Sequence, residues 1–112
     1  MTKFLLIQHR AAMGTWAPVD VRRHFDFQRR LDDELAAAGE LVEAQGFGGR
    51  THRVAGEHAP GDGVLPALAG YRVVDVESEE RALQIAARVS AAPGPGGVPL
   101  RQQIDVRRLL TP

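Results

Sequence analysis

Few residue types in this chain can do acid–base or binding chemistry, and the most capable is His24. An imidazole titrates near neutrality and can serve as acid or base. His24 also falls in line with Phe27, Leu31, Leu35 and Ala38, spaced three, four, four and three apart on one narrow helical arc. That placement fits equally a histidine packed against a sheet with one hydrogen bond satisfied. Asp62 sits between two glycines, where a carboxylate accepts local backbone hydrogen bonds in a turn. If it approaches His24 instead, it can orient the ring and stabilise the imidazolium.

The other histidines are His9, His52 and His58. A metal site needs about three convergent ligands, and no short metal motif such as HExxH is present, so no metal is expected. His9 ends an apolar segment and can reach a pocket rim, although solvent exposure explains it as well. Arg101, Gln103, Asp105 and Arg107 alternate along one strand face. If that face lines a pocket, Arg101 and Arg107 can bind a small organic anion, with Asp105 tuning or pairing with them. The same alternation otherwise keeps a face in solution or forms subunit salt bridges. Trp16, the only tryptophan, fits either a lid over a pocket mouth or a core or interface contact.

These side chains depend on elements that can be read from periodicity. Lys3 to Gln8 is a short apolar run with the character of a strand buried on both faces. Ala11 to Pro18 has no period and reads as a loop. Asp20 can cap a helix whose pattern runs to Ala38, with Gly39 at the stop. Leu41 to Phe47 and Thr51 to Glu57 read as strands separated by Gly48-Gly49-Arg50. His58 to Ala69 reads as a loop and Tyr71 to Glu77 as a strand. Ser78 caps a second helix with Glu79 and Glu80 in its first turn and a stripe of Ala82, Ile85, Ala86 and Val89. Ala91 to Pro99 breaks that helix, and Leu100 to Arg108 alternates as a last strand. The order reads as βαββαβ, a ferredoxin-like α+β fold with two helices over one face of a four-stranded antiparallel sheet.

Composition narrows the field further. The 112 residues suit one domain, spanning 1–112. Fourteen basic and fourteen acidic side chains cancel, which argues against nucleic acid or an anionic membrane as partner and favours self-association. The absence of cysteine excludes disulfides, thiolate zinc sites and cysteine nucleophiles. The apolar run Phe4 to Ile7 is too short for a signal peptide and no run approaches the ~20 residues of a membrane span, so the cytoplasm is expected. Gly46-Phe47-Gly48-Gly49 and Gly94-Pro95-Gly96-Gly97 lack the lysine and serine or threonine of a phosphate loop and read as turns.

Lys3-Phe4-Leu5-Leu6-Ile7, Leu35-Ala36-Ala37-Ala38-Gly39-Glu40-Leu41, Asp62-Gly63, Gly70-Tyr71, Val74-Asp75-Val76-Glu77, Glu80-Arg81-Ala82-Leu83 and Gly96-Gly97 follow one another along nearly the whole chain. In that order and spacing they resemble the YCII-related family, and within it the DGPF branch. The resemblance implies a ferredoxin-like protomer whose sheet faces that of a second copy, giving a homodimeric α/β barrel with a pocket carrying a histidine and an aspartate. The family's Arg-x-x-His pattern matches His24 with Val21 at the arginine position, or less strictly with Arg22. The aspartate of DGPF matches Asp62, while Val64 and Leu65 stand where that motif has proline and phenylalanine.

Two functions are compatible with these residues. The leading one is a cofactor-independent isomerase, lyase or hydrolase-type enzyme acting on a small polar organic compound. His24 would be its acid or base, Asp62 the orienter, and His9, Trp16, Arg101 and Arg107 the binding residues. The alternative is a non-catalytic small-ligand-binding or accessory homodimer, which needs neither nucleophile nor metal.

Overall fold

The computed structural model describes residues 1–11, 15–56, 59–60 and 65–111. Its elements are β1 (Thr2–His9), α1 (Pro18–Ala37), β2 (Leu41–Gly46), β3 (Val54–Ala55), β4 (Ala59–Pro60), β5 (Leu68–Val76), α2 (Glu79–Ser90), a 3-10 turn (Pro95–Gly97) and β6 (Ile104–Arg108). Strands β2, β5, β1 and β6 pair in that order as one antiparallel sheet, and β3 pairs only with β4. Both helices cover the same face, because Phe4 and Leu6 of β1 and Val74 and Val76 of β5 are buried there with Leu31, Leu35, Ala82, Ile85 and Val89. Their burial supplies the main driving force for docking the helices, at about 1.5–3 kcal/mol for each large apolar side chain.

Local chemistry explains the helix limits. Pro18 occupies the first turn of α1, where its missing N–H costs nothing. Asp20 does not precede the helix as its cap; it lies in the first turn, where its carboxylate accepts the Ala17 N–H at 3.3 Å. Gly39 ends the helix at φ +73°, a conformation that side-chain-bearing residues rarely adopt. Ser78 caps α2 as its position predicts, its Oγ accepting the Arg81 N–H at 3.1 Å.

Three expectations are corrected. Within the segment Thr51 to Glu57 the described residues supply only the two-residue β3, so the strand that returns beside β2 is β5. The last strand begins at Ile104 rather than Leu100, because Arg101 turns to φ +55° and breaks the extended chain. The α/β barrel does not form: the sheet is open, ending in β2 on one side and β6 on the other. Closure needs paired edges and a consistent stagger around the ring, which a sheet with two separate edge strands does not have. The homodimer expected from that barrel loses its structural basis with it. No helix among the described residues is long and apolar enough to cross a membrane.

Two contacts fix the ends of β2. At its start Arg81 of α2 holds Glu40 with both Nε and Nη2, at 2.9 and 2.8 Å. The Arg81 hydrogen bond keeps the Glu40 carboxyl below the usual carboxylate range against the opposing cost of its burial. At its end Gly46 pairs with Gly70, and a Cβ on Gly70 would lie 2.5 Å from the Gln45 backbone oxygen.

Two predictions follow from these ends. Gly70→Ala must push β2 away from β5 and should cost about 1–3 kcal/mol, read as a lower denaturant midpoint in urea unfolding. Because Glu40 has a lowered pKa in the folded chain, its stabilisation is complete above its unfolded pKa and is lost as pH falls through the folded value. Glu40→Gln should therefore destabilise by about 1–2 kcal/mol at neutral pH. Its deficit against the unsubstituted chain should shrink through the acid range in urea titrations at a series of pH values.

Candidate functional site

At one end of the helix–sheet interface the inward-facing positions stop being apolar. On β1 the inward series is Phe4, Leu6 and then Gln8; on β5, read backwards, it is Val76, Val74 and then Arg72. Gln102, just ahead of β6, is buried beside them. On α1 the positions facing this end are His24, Gln28 and Asp32, one turn apart. An isolated amide or charge buried in this way is costly, so each must find a partner.

They find one another. The Arg72 guanidinium donates from Nε to Asp32 Oδ1 at 2.7 Å, from Nη1 to Gln8 Oε1 at 3.3 Å, and from Nη2 to Gln28 Oε1 at 3.3 Å and Asp32 Oδ2 at 3.4 Å. Gln8 Nε2 donates to Gln102 Oε1 at 2.9 Å, and Gln102 Nε2 donates to the His9 backbone oxygen at 3.2 Å. The chain of bonds thus links α1, β5, β1 and the approach to β6.

His24 closes the other end of this network. Its Nδ1 lies 3.0 Å from the Pro93 carbonyl oxygen and its Nε2 lies 2.6 Å from Gln28 Nε2. A carbonyl only accepts, so Nδ1 carries the proton and donates. Gln28 must present its oxygen to Arg72, which leaves its NH2 to donate to the unprotonated Nε2. The Pro93 carbonyl thus sets the tautomer of His24, Arg72 orients the amide of Gln28 to match it, and no ring nitrogen is left for a reacting group. Pro93 is held in place by its surroundings, since the following turn is tied to α1 where Asp20 Oδ1 accepts the Gly96 N–H at 3.1 Å.

These side chains line a cavity of about 360 Å³, toward the small end of the roughly 300–1,000 Å³ range of small-molecule sites. Gly46 and Gly70 form part of its wall, and Phe25, Phe47 and Tyr71 are also among the residues that line it. Phe25 is 63% exposed and Phe47 43%, unusual for phenylalanine. Phe25 meets the His24 ring edge-on at 5.5 Å, and Phe47 lies 5.6 Å from Tyr71.

Of the residues singled out from the sequence, the fold brings Trp16 and His24 together, with ring centroids 5.3 Å apart and planes at 77°. His9 and Arg107 go to the opposite, helix-free face of the sheet. There His9 Nε2 lies 2.7 Å from Asp105 Oδ2, and Arg107 stands opposite Leu5 of β1. Tyr71 on that face donates its hydroxyl to Glu43 at 2.8 Å, which raises the Tyr71 pKa. Arg101 is exposed in the turn before β6, on a separate surface depression that His9 and Gln103 also line, so the fold does bring His9 and Arg101 together there. The arginines therefore do not converge on His24. Asp62 and His58 lie outside the described residues. Among the described residues no three of His, Asp and Glu are grouped as a metal would require.

Sequence reasoning missed Arg72, Gln28, Asp32 and Gln8 as site residues. A signal was present: Gln8, Arg72 and Gln102 are polar residues in phase with inward apolar neighbours, and Gln28 and Asp32 follow His24 at helical spacing.

Arg72→Met would leave the Asp32 carboxylate and two amide oxygens without their donor. It should destabilise the chain by about 3 kcal/mol, at the low end for breaking a buried pair because Asp32 keeps some access to water. Two-bond ¹H–¹⁵N spectra should show His24 as the Nδ1–H tautomer in the unsubstituted chain and again in Arg72→Met, where the Pro93 carbonyl still accepts from Nδ1. An Nε2–H tautomer in the unsubstituted chain would contradict the network described above.

Compared with protein-family models, the chain matches none. No curated protein matches it either. The likeness to YCII-related proteins therefore stands on the sequence fragments that carry it.

Proposed function

We propose that this chain binds a small organic molecule in the cavity between α1 and the sheet, and that it does so without acting on it chemically. The observation that carries this reading is the complete engagement of His24. With Nδ1 donating to the Pro93 carbonyl and Nε2 accepting from Gln28, the ring would have to break a buried bond before moving a proton for a substrate. The cavity beside it supports binding, because buried amides and a guanidinium line it and large apolar rings stand exposed at its margin. The order of the two sequence-based readings is thereby reversed: binding leads and acid–base catalysis follows.

A fragment screen by ¹H–¹⁵N correlation spectra tests this. Bound fragments are expected to shift the signals of Arg72, Gln28 and Gly70 together, and to be recovered chemically unchanged after prolonged incubation. Conversion of a bound compound that is abolished in His24→Gln would overturn the reading in favour of an enzyme.

A further inference from the structure

A second depression lies where β1 runs out and β6 begins, with a volume of about 390 Å³. Its polar lining comes from His9, Arg10, Arg101 and Gln103, gathered from the two ends of the chain. Backbone bonds hold this wall together, for the His9 N–H donates to the Gln103 carbonyl at 2.9 Å and the Arg10 N–H to the Ala67 carbonyl at 2.7 Å. The His9 ring is fixed as well. The Asp105 carboxylate only accepts, so the imidazole Nε2 carries the proton that joins them at 2.7 Å.

Among the described residues no acidic side chain lines the depression, and neither Arg10 nor Arg101 has a side-chain hydrogen bond or an ion pair. Two uncompensated positive charges thus share one concave surface, in a chain whose formal charge is zero.

Arg101 also occupies a backbone position that disfavours it. Its φ of +55° is the only positive value outside glycine among the described residues, a conformation that the Cβ of an arginine makes costly and that glycine adopts freely. The bend is imposed from both sides, because the Leu100 N–H donates to the Ala92 carbonyl at 3.0 Å and the N–H of the buried Gln102 to the Ser90 carbonyl at 3.2 Å. The fold therefore dictates the turn but not the arginine. Strained backbone of this kind gathers at binding sites.

We infer that this depression binds a small polar dianion, its charges set on one phosphate group or on two carboxylates, through Arg10 and Arg101. A guanidinium presents paired N–H donors that match either oxyanion, and two unopposed cations are neutralised by two negative charges rather than one. The site is separate from the cavity between α1 and the sheet and does not depend on the role proposed for that cavity. Arg10 stands beside Arg101 where the sequence suggested Arg107, which does not line this surface.

The test follows the whole chain in ¹H–¹⁵N spectra at one fixed low ionic strength and slightly alkaline pH, where phosphate is mostly doubly charged. Inorganic phosphate, succinate and acetate are titrated separately. At least one dianion is expected to move the backbone amide signals of Arg10, Arg101 and Gln103 along a saturating curve, half-complete at a concentration about tenfold or more below that needed with acetate. Phosphate alone doing so assigns the charge to a phosphate group, and succinate alone to a pair of carboxylates. Acetate acting as strongly as both would reduce the effect to ordinary screening of exposed charge and overturn the inference, as would the absence of a saturating shift with any of the three. Arg101→Gly separates binding from folding. Glycine takes φ +55° without strain, so the urea midpoint is expected to hold or rise while the dianion shifts at Arg10 and Gln103 are lost. Shifts that persist in this variant, or a midpoint that falls, would overturn the role given to Arg101. The titrations of the unsubstituted chain stand on their own.

Discussion

A guanidinium buried between a helix and a sheet is tolerated only where its charge and its planar fork of donors are met. Arg72 is 5% exposed, and side chains from α1 and β1 are arranged around it. Asp32 supplies the countercharge from α1, Gln8 an oxygen from β1, and Gln28 an oxygen, which leaves its NH2 to meet His24 Nε2. A lysine would satisfy the charge but not the four directions at once. The placement of α1 over this end of the sheet is thus fixed by directional bonds, whereas over the other end it is fixed by non-directional apolar packing.

The two halves of the interface divide the labour. Leu31, Leu35, Val74, Val76 and Ile85 form a dry core that carries most of the stability. The polar half returns little net stabilisation, since its bonds largely replace those lost to water. What it provides is geometry: a cavity wall whose donors and acceptors point in set directions. Gly70 lets β5 approach β2 closely at the margin of that wall, and Phe25 and Phe47 stand exposed beside it.

Much of this architecture was legible from local pattern. Ser78 before two glutamates and a 3-4 apolar stripe leaves little choice but a helix, and α2 lies where that pattern puts it. The order of helices and principal strands was likewise readable. Alternation failed where it assumed a continuous extended chain, as at Arg101, whose left-handed backbone moves the start of β6. It also assigned Thr51 to Glu57 to the sheet, because a strand pattern does not say which strand will be the partner. Closure into a barrel was a statement about edges, which no local pattern encodes. At the site, His24 was visible as a histidine on an apolar arc. Its partners were not, since Arg72 meets Gln28 and Gln8 only after 44 and 64 residues of intervening chain are folded.

The turn between α2 and β6 is stapled to α1 at two points, by Pro93 to His24 and by Gly96 to Asp20, across 69 and 76 residues. Both staples join the first quarter of the chain to its last. Contacts so remote in sequence close only when the intervening strands are in place, because the loop they span must already be organised. The Gly96 amide is accordingly a sentinel for completed assembly: its exchange with solvent reports when α1 has docked on a finished sheet, independently of whether either helix has formed.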